Sequence, residues 1–175
     1  MIDNRYVHEL DINLDIPYLV DLTERAPQVD GEYPYRRSVA DDPYMQSLVA
    51  KFPCLADRYN IYSIPPGGTI PLHVDAGRRC AFNIPILHTS SSVTIFYKQL
   101  DETVIERHDM FYDAVTSKVQ EDFRFTLTVP TLIDNSVPHK VINYGTRNRV
   151  IISWSILNSY TLDAAKDMFS QHKRA

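Results

Sequence analysis

From Arg58 onward the chain is cut into short extended segments by proline, glycine and small polar residues, and this spacing constrains the fold more than any other feature. Residues 58–64 are rich in Tyr and Ile, Pro65-Pro66-Gly67-Gly68 forms a turn, and 69–75 runs on as a second extended segment. Further extended segments are expected at 79–87, 92–98, 123–129, 139–144 and 149–157. Many short strands with few helices bury their apolar faces by closing sheets on one another. The expected fold class is therefore mainly β with flanking helices, as a sandwich or barrel.

Helical spacing occurs at two places. Asp42 can cap and Pro43 suits a first helical position; Met45, Leu48, Val49 and Phe52 then recur at helical intervals before Pro53. From Thr161 a terminal helix carries Leu162, Ala165, Met168 and Phe169 on one side. No internal repeat or linker interrupts the chain, and 175 residues suit one compact domain. Its expected parts are a helical or irregular stretch over 1–57, a β core over 58–157 and a C-terminal helix over 158–175.

Composition excludes several classes. The two cysteines, Cys54 and Cys80, are far apart and in no C-x-x-C pair, which predicts buried free thiols rather than disulfides or a zinc site. No leader pattern or long apolar span is evident, so a cytoplasmic protein without a membrane anchor is expected. A net charge of −4 makes a generic nucleic-acid surface an unlikely expectation, although net charge says nothing about local patches.

Chemistry concentrates in three places. His73 and Asp75 are two apart on an expected strand, so both side chains leave the same face. Alone, such a pair also fits a strand end without metal. A second cluster, Asp134-Asn135-Ser136-Val137-Pro138-His139, delivers another histidine from a turn to a strand start. Two histidines and one carboxylate on one face of a metal form the ligand set of non-haem iron(II) oxygenases. Beyond an expected hairpin turn at Gly145-Thr146-Arg147-Asn148 comes Arg149. Strand alternation then puts Arg149, Ile151, Ser153 and Ser155 on one face, lining a cavity, and Val150, Ile152, Trp154 and Ile156 on the other. A guanidinium inside a barrel needs a partner, and a carboxylate fits its planar fork; a diacid cosubstrate is the natural one.

The stretches Ser63-Ile64-Pro65-Pro66-Gly67-Gly68-Thr69-Ile70-Pro71-Leu72-His73, Asn83-Ile84-Pro85-Ile86 and Ile133-Asp134-Asn135-Ser136-Val137-Pro138-His139, followed by Arg149, resemble the aspartyl/asparaginyl β-hydroxylase-like group of 2-oxoglutarate oxygenases. The resemblance spans about residues 60–157 and implies a double-stranded β-helix, a cupin-like jelly roll. It implies that His73 and His139 bind the metal and that Arg149 binds the distal carboxylate of 2-oxoglutarate. By the same likeness Ser63 and Asn83 contact the cosubstrate. Asp75 departs from the best-known members of that group and matches the wider superfamily, which leaves the substrate open. The implied cofactors are iron(II), 2-oxoglutarate and dioxygen, with hydroxylation of a C–H bond and release of succinate and carbon dioxide. The partners are then 2-oxoglutarate and a primary substrate, a protein side chain or a small molecule. A cupin-type protein that binds a metal or small ligand without turnover shares the fold and is the alternative. His8, His88, His108 and His172 fall in no ligand pattern.

Overall fold

A computed structural model describes residues 2–26, 35–38, 41–75, 77–101, 105–107, 112–115 and 118–171. Its elements, in order, are β1 (Val7–Glu9), α1 (Ile16–Arg25), β2 (Tyr35–Ser38), α2 (Pro43–Lys51), β3 (Leu55–Ile64), β4 (Thr69–Asp75), β5 (Cys80–Leu87), β6 (Ser92–Gln99), β7 (Ile105–Arg107), β8 (Tyr112–Val115), β9 (Val119–Phe125), β10 (Thr131–Asp134), β11 (His139–Asn143), β12 (Arg149–Ile156) and α3 (Leu162–Gln171).

The strands form two antiparallel sheets, ordered β1-β10-β5-β12-β3-β2 and β7-β8-β4-β11-β6-β9. Within them, the quartet β10-β5-β12-β3 faces the quartet β4-β11-β6-β9, and successive core strands alternate between the two except at β6 and β9, which pair within one sheet. That winding is the double-stranded β-helix, or jelly roll. The N-terminal stretch expected to be helical or irregular also supplies β1 and β2, which extend the first sheet at its two edges.

Two helix starts share one device. Asp42 accepts hydrogen bonds from the backbone amides of Tyr44 and Met45, as expected for α2. Asp15 caps α1 through the amide of Tyr18, with Pro17 in its first turn. The two starts are tied together, because Tyr18 Oη donates to Asp42 at 2.6 Å and Tyr44 Oη accepts from the Asp15 amide at 2.9 Å. Sequence reading missed α1, although its Asp-x-Pro opening resembles the Asp-Pro of α2.

The three helices pack on the outer face of the first sheet. Leu19, Met45, Leu48 and Phe169 meet Phe82, Ile84, Ile152 and Trp154 there. The buried Trp154 indole donates to the Ala56 carbonyl at 2.9 Å. A second cluster, including Phe96, Phe125, Leu127, Ile133 and Ile151, fills part of the space between the sheets.

Differences from the expected strands have local causes. The segment expected at 123–129 is strand only to Phe125, and pairing instead begins at Val119. Leu127 is buried in the inter-sheet core without strand pairing, which mimics a strand residue in the sequence pattern. Strands β11 and β12 do not form the expected hairpin; they lie in opposite sheets, and the turn between them crosses from one to the other. Both cysteines are free and buried, as expected, and burial pushes each thiol up to about 11.

That crossover is held by Asn143, which is fully buried. Its amide nitrogen donates to the carbonyls of Ile64, Pro65 and Arg147 at 2.9, 3.1 and 2.8 Å, and its oxygen accepts from the Gly145 amide at 3.0 Å. One side chain therefore joins the β11–β12 turn to the Pro65–Gly68 turn between β3 and β4. In the latter, Gly67 adopts φ +69°, and the Gly68 amide closes the turn onto the Pro65 carbonyl at 2.9 Å. Asn143→Ala strands several buried carbonyls, and equilibrium urea unfolding should show a loss of about 2–4 kcal/mol.

Candidate metal centre

The register of β4 against β11 sets His73 directly opposite His139. Paired residues on antiparallel strands share a face, so the two rings meet, with centroids 4.3 Å apart. Asp75, two residues along β4, leaves from the same face. Ligand atoms of His73, Asp75 and His139 all lie within 4.8 Å of one another, a grouping that could hold a metal ion.

Local backbone sets the proton position of both histidines. Nδ1 of His73 lies 2.7 Å from the Pro71 carbonyl, and Nδ1 of His139 lies 2.8 Å from the Val137 carbonyl. A carbonyl can only accept, so each Nδ1 carries the proton and each Nε2 presents a lone pair. Burial, reinforced by the neighbouring His73, pushes His139 down to about 4. Its imidazole is neutral near pH 7, the form that binds metal.

Asp75 divides its two oxygens. Oδ2 accepts from Nε and Nη2 of Arg78 at 2.8 and 2.5 Å and from Nδ2 of Asn135 at 2.6 Å. Oδ1 faces Nε2 of His73 at 3.3 Å. Burial on its own would raise this carboxyl, but the positive Arg78 beside it and the two histidines outweigh burial and hold it well below the usual carboxylate range.

The triad opens on a cavity of about 270 Å³ between the sheets, whose wall also includes Tyr62, Asn83, Thr94, Arg149, Ile151 and Ser153. From Arg149 to Trp154 strand β12 alternates as its sequence predicts: Arg149, Ile151 and Ser153 face this cavity, while Val150, Ile152 and Trp154 join the helix-covered core. Ser155, expected on the cavity face, is not among the lining residues, and the pairing with β3 shifts between Trp154 and Ile156. Arg149 is only 3% exposed and its Nε has no hydrogen-bond partner. Among the described residues no carboxylate pairs with it, and burial alone pulls its pKa down to about 10. Asn83, opposite Ser153 in the β5–β12 register, also presents a buried oxygen without a partner. Ser153 accepts from Nη1 of Arg78 at 3.0 Å.

Ser63 is among the residues that line the cavity, although its side chain leaves the other face of β3. It pairs with Val150, and Tyr62 pairs with Ile151, so the register puts the Ser63 side chain on the helix-covered face and Tyr62 on the cavity face. A one-residue offset in a strand exchanges faces, so the β3 side chain that enters the cavity here is that of Tyr62. Arg78 and Asn135 were not singled out as site residues. Arg78 belongs to no ligand pattern in the sequence, and its approach to Asp75 depends on how the chain leaves β4. Of the remaining histidines, His8 is buried beside Asp3, and His88 is exposed in a left-handed turn at φ 53°. His108 and His172 lie outside the described residues.

No protein-family model matches the chain, and no curated protein matches it either. Among solved structures, it is similar to a Pseudomonas putida prolyl-4-hydroxylase, with a TM-score of 0.48 and 11% identity over 87% of this chain and 91% of that one. It is also similar to Bacillus subtilis oxalate decarboxylase, at a TM-score of 0.43 and 13% identity over 80% of this chain. Hazelnut (Corylus avellana) vicilin gives a TM-score of 0.43 and 12% identity over 77% of this chain. The chain spans only 30% of that decarboxylase and 31% of that vicilin. The strand order itself establishes the jelly roll. No helix among the described residues is long and apolar enough to cross a membrane.

The depressed His139 has a consequence for acid stability. In the unfolded chain it titrates near 6.5, in the fold near 4. Between those values the unfolded chain holds the extra proton, so lowering the pH through this window destabilises the metal-free fold, by about 3 kcal/mol in full. Urea midpoints of the metal-free protein should fall between pH 7 and 4.5, and His139→Gln should flatten that dependence.

Proposed function

We propose that this protein is an iron(II)- and 2-oxoglutarate-dependent oxygenase that hydroxylates a C–H bond of a second substrate, releasing succinate and carbon dioxide. The observation that carries this reading is Arg149: a buried guanidinium, unpaired among the described residues, in the same cavity as two histidines and a carboxylate. An isolated buried charge is costly, so such a residue points to an anionic ligand that completes it. The donor set of His73 Nε2, His139 Nε2 and Asp75 Oδ1 fits iron(II) and leaves room for further ligands.

Each residue then has a task. Arg149 holds the distal carboxylate of 2-oxoglutarate through its planar fork. Asn83 and Ser153 supply polar wall on the same side of the cavity, and Ile133 and Ile151 supply apolar wall. Iron(II), when bound, supplies the oxidising chemistry with dioxygen. A cupin-type protein that only binds a metal has no use for an unpaired arginine at this place, and this separates the two readings.

The direct test is succinate formation from 2-oxoglutarate by anaerobically iron-loaded protein on admission of oxygen, screened against peptides and small metabolites. His73→Ala and His139→Ala should each abolish metal binding and turnover. Arg149→Lys keeps the charge and loses the fork, so 2-oxoglutarate affinity should fall roughly ten- to a hundredfold while metal binding persists. In calorimetry, unchanged 2-oxoglutarate affinity in that variant would assign the anchor to another residue. Arg149→Met should stabilise the ligand-free fold by about 1–3 kcal/mol, because it removes an uncompensated buried charge.

A further inference from the structure

We infer that Arg78 is a positioning residue that holds Asp75 as a one-oxygen metal ligand and so keeps clear the metal position that its second oxygen would take. This inference rests on reading His73, Asp75 and His139 as metal ligands, but not on the identity of the substrate.

Three donors meet on one oxygen. Arg78 Nε, Arg78 Nη2 and Asn135 Nδ2 lie 2.8, 2.5 and 2.6 Å from Asp75 Oδ2. An ion pair that merely neutralised a buried carboxylate could share both oxygens, as a fork does. Here Oδ1 is left facing His73 Nε2, itself a ligand atom, at 3.3 Å. Turning Asp75 to offer both oxygens to one metal would break charge-assisted bonds in a site that water hardly reaches, since the side chains of Asp75 and Arg78 are only 8% and 16% exposed.

Arg78 cannot readily follow such a turn. Its Nη1 donates to Ser153 Oγ at 3.0 Å, and its guanidinium carbon lies 6.0 Å from the centre of the Tyr62 ring. Ser153 belongs to the central strand β12, Tyr62 to β3, and Asn135 to the turn between β10 and β11. The Asn135 backbone is fixed as well: its carbonyl accepts from the Asp75 amide at 3.1 Å, and its amide donates to the Arg79 carbonyl at 2.8 Å. Three segments, β3, β12 and the turn between β10 and β11, thus converge with Arg78 on the orientation of one carboxylate. Partners of this kind orient ligands and tune the metal.

Arg78→Lys separates geometry from charge, because it retains a cation and loses the two-point hold. The probe is cobalt(II), titrated anaerobically into the full chain and followed by its visible ligand-field bands. The variant should bind cobalt(II) about tenfold more weakly than the unaltered protein. Its bands should weaken and shift, as expected when a second carboxylate oxygen raises the coordination number. 2-Oxoglutarate should then bind the cobalt-loaded variant about tenfold more weakly, with Arg149 intact. Should Arg78→Lys fail to fold, Asn135→Ser removes one donor and should give the same spectral shift in smaller measure. Cobalt(II) spectra and affinity unchanged in the folded variant overturn the inference. Asp75→Ala is the control: if it too leaves cobalt(II) binding unchanged, the metal reading falls and this inference with it.

Discussion

A strand presents alternate residues to its two faces, and β12, flanked by β3 and β5 near the middle of its sheet, turns that rule into the plan of the molecule. Ile152 and Trp154 point outward and seat the three helices, while Arg149, Ile151 and Ser153 point inward and line the cavity. The outer face fixes the inner one. A shift of one residue in the β12 pairing would bring Trp154 into the cavity and Arg149 under the helices, and both outcomes are opposed by burial.

The interior must then accommodate several polar groups away from water, and it treats them in two ways. Asp75 and Arg78 neutralise each other and are braced by Asn135 and Ser153. Arg149 is left unmatched among the described residues, as is the Asn83 oxygen. The proposed anionic cosubstrate would supply at Arg149 the partner that Asp75 supplies to Arg78.

The candidate metal centre depends on a different strand pair. His73 and His139 are far apart in the chain, and only the antiparallel register of β4 and β11 makes them face one another. Their proton positions need no distant partner, because each Nδ1 donates to the carbonyl two residues before it. Ligand chemistry is therefore set locally, and ligand assembly is set by the sheet.

Much of this was legible in the chain itself. Alternation along 149–156, the two-residue spacing of His73 and Asp75, and the Pro-Pro-Gly-Gly turn are short-range patterns, and each depends on strand or turn geometry that neighbouring residues impose. They sufficed for a mainly β sandwich or barrel and for the faces of β12 from Arg149 to Trp154, while the jelly roll was implied by the family resemblance. The sequence alone did not reveal α1, the edge strands β1 and β2, or the crossing of the β11–β12 turn between sheets, because those depend on which surfaces remain to be covered or paired. Ser63 and Tyr62 show the same limit at a single position, where an offset of one residue exchanges faces. Arg78 shows it at the candidate metal centre: an arginine three residues past an aspartate is ordinary in sequence, and only the convergence of β3, β12 and the turn after β10 makes it Asp75's partner. Residue chemistry and local periodicity were determined by the sequence by itself; which groups meet was decided by tertiary structure, because pairing register and sheet closure set distances that no linear spacing encodes.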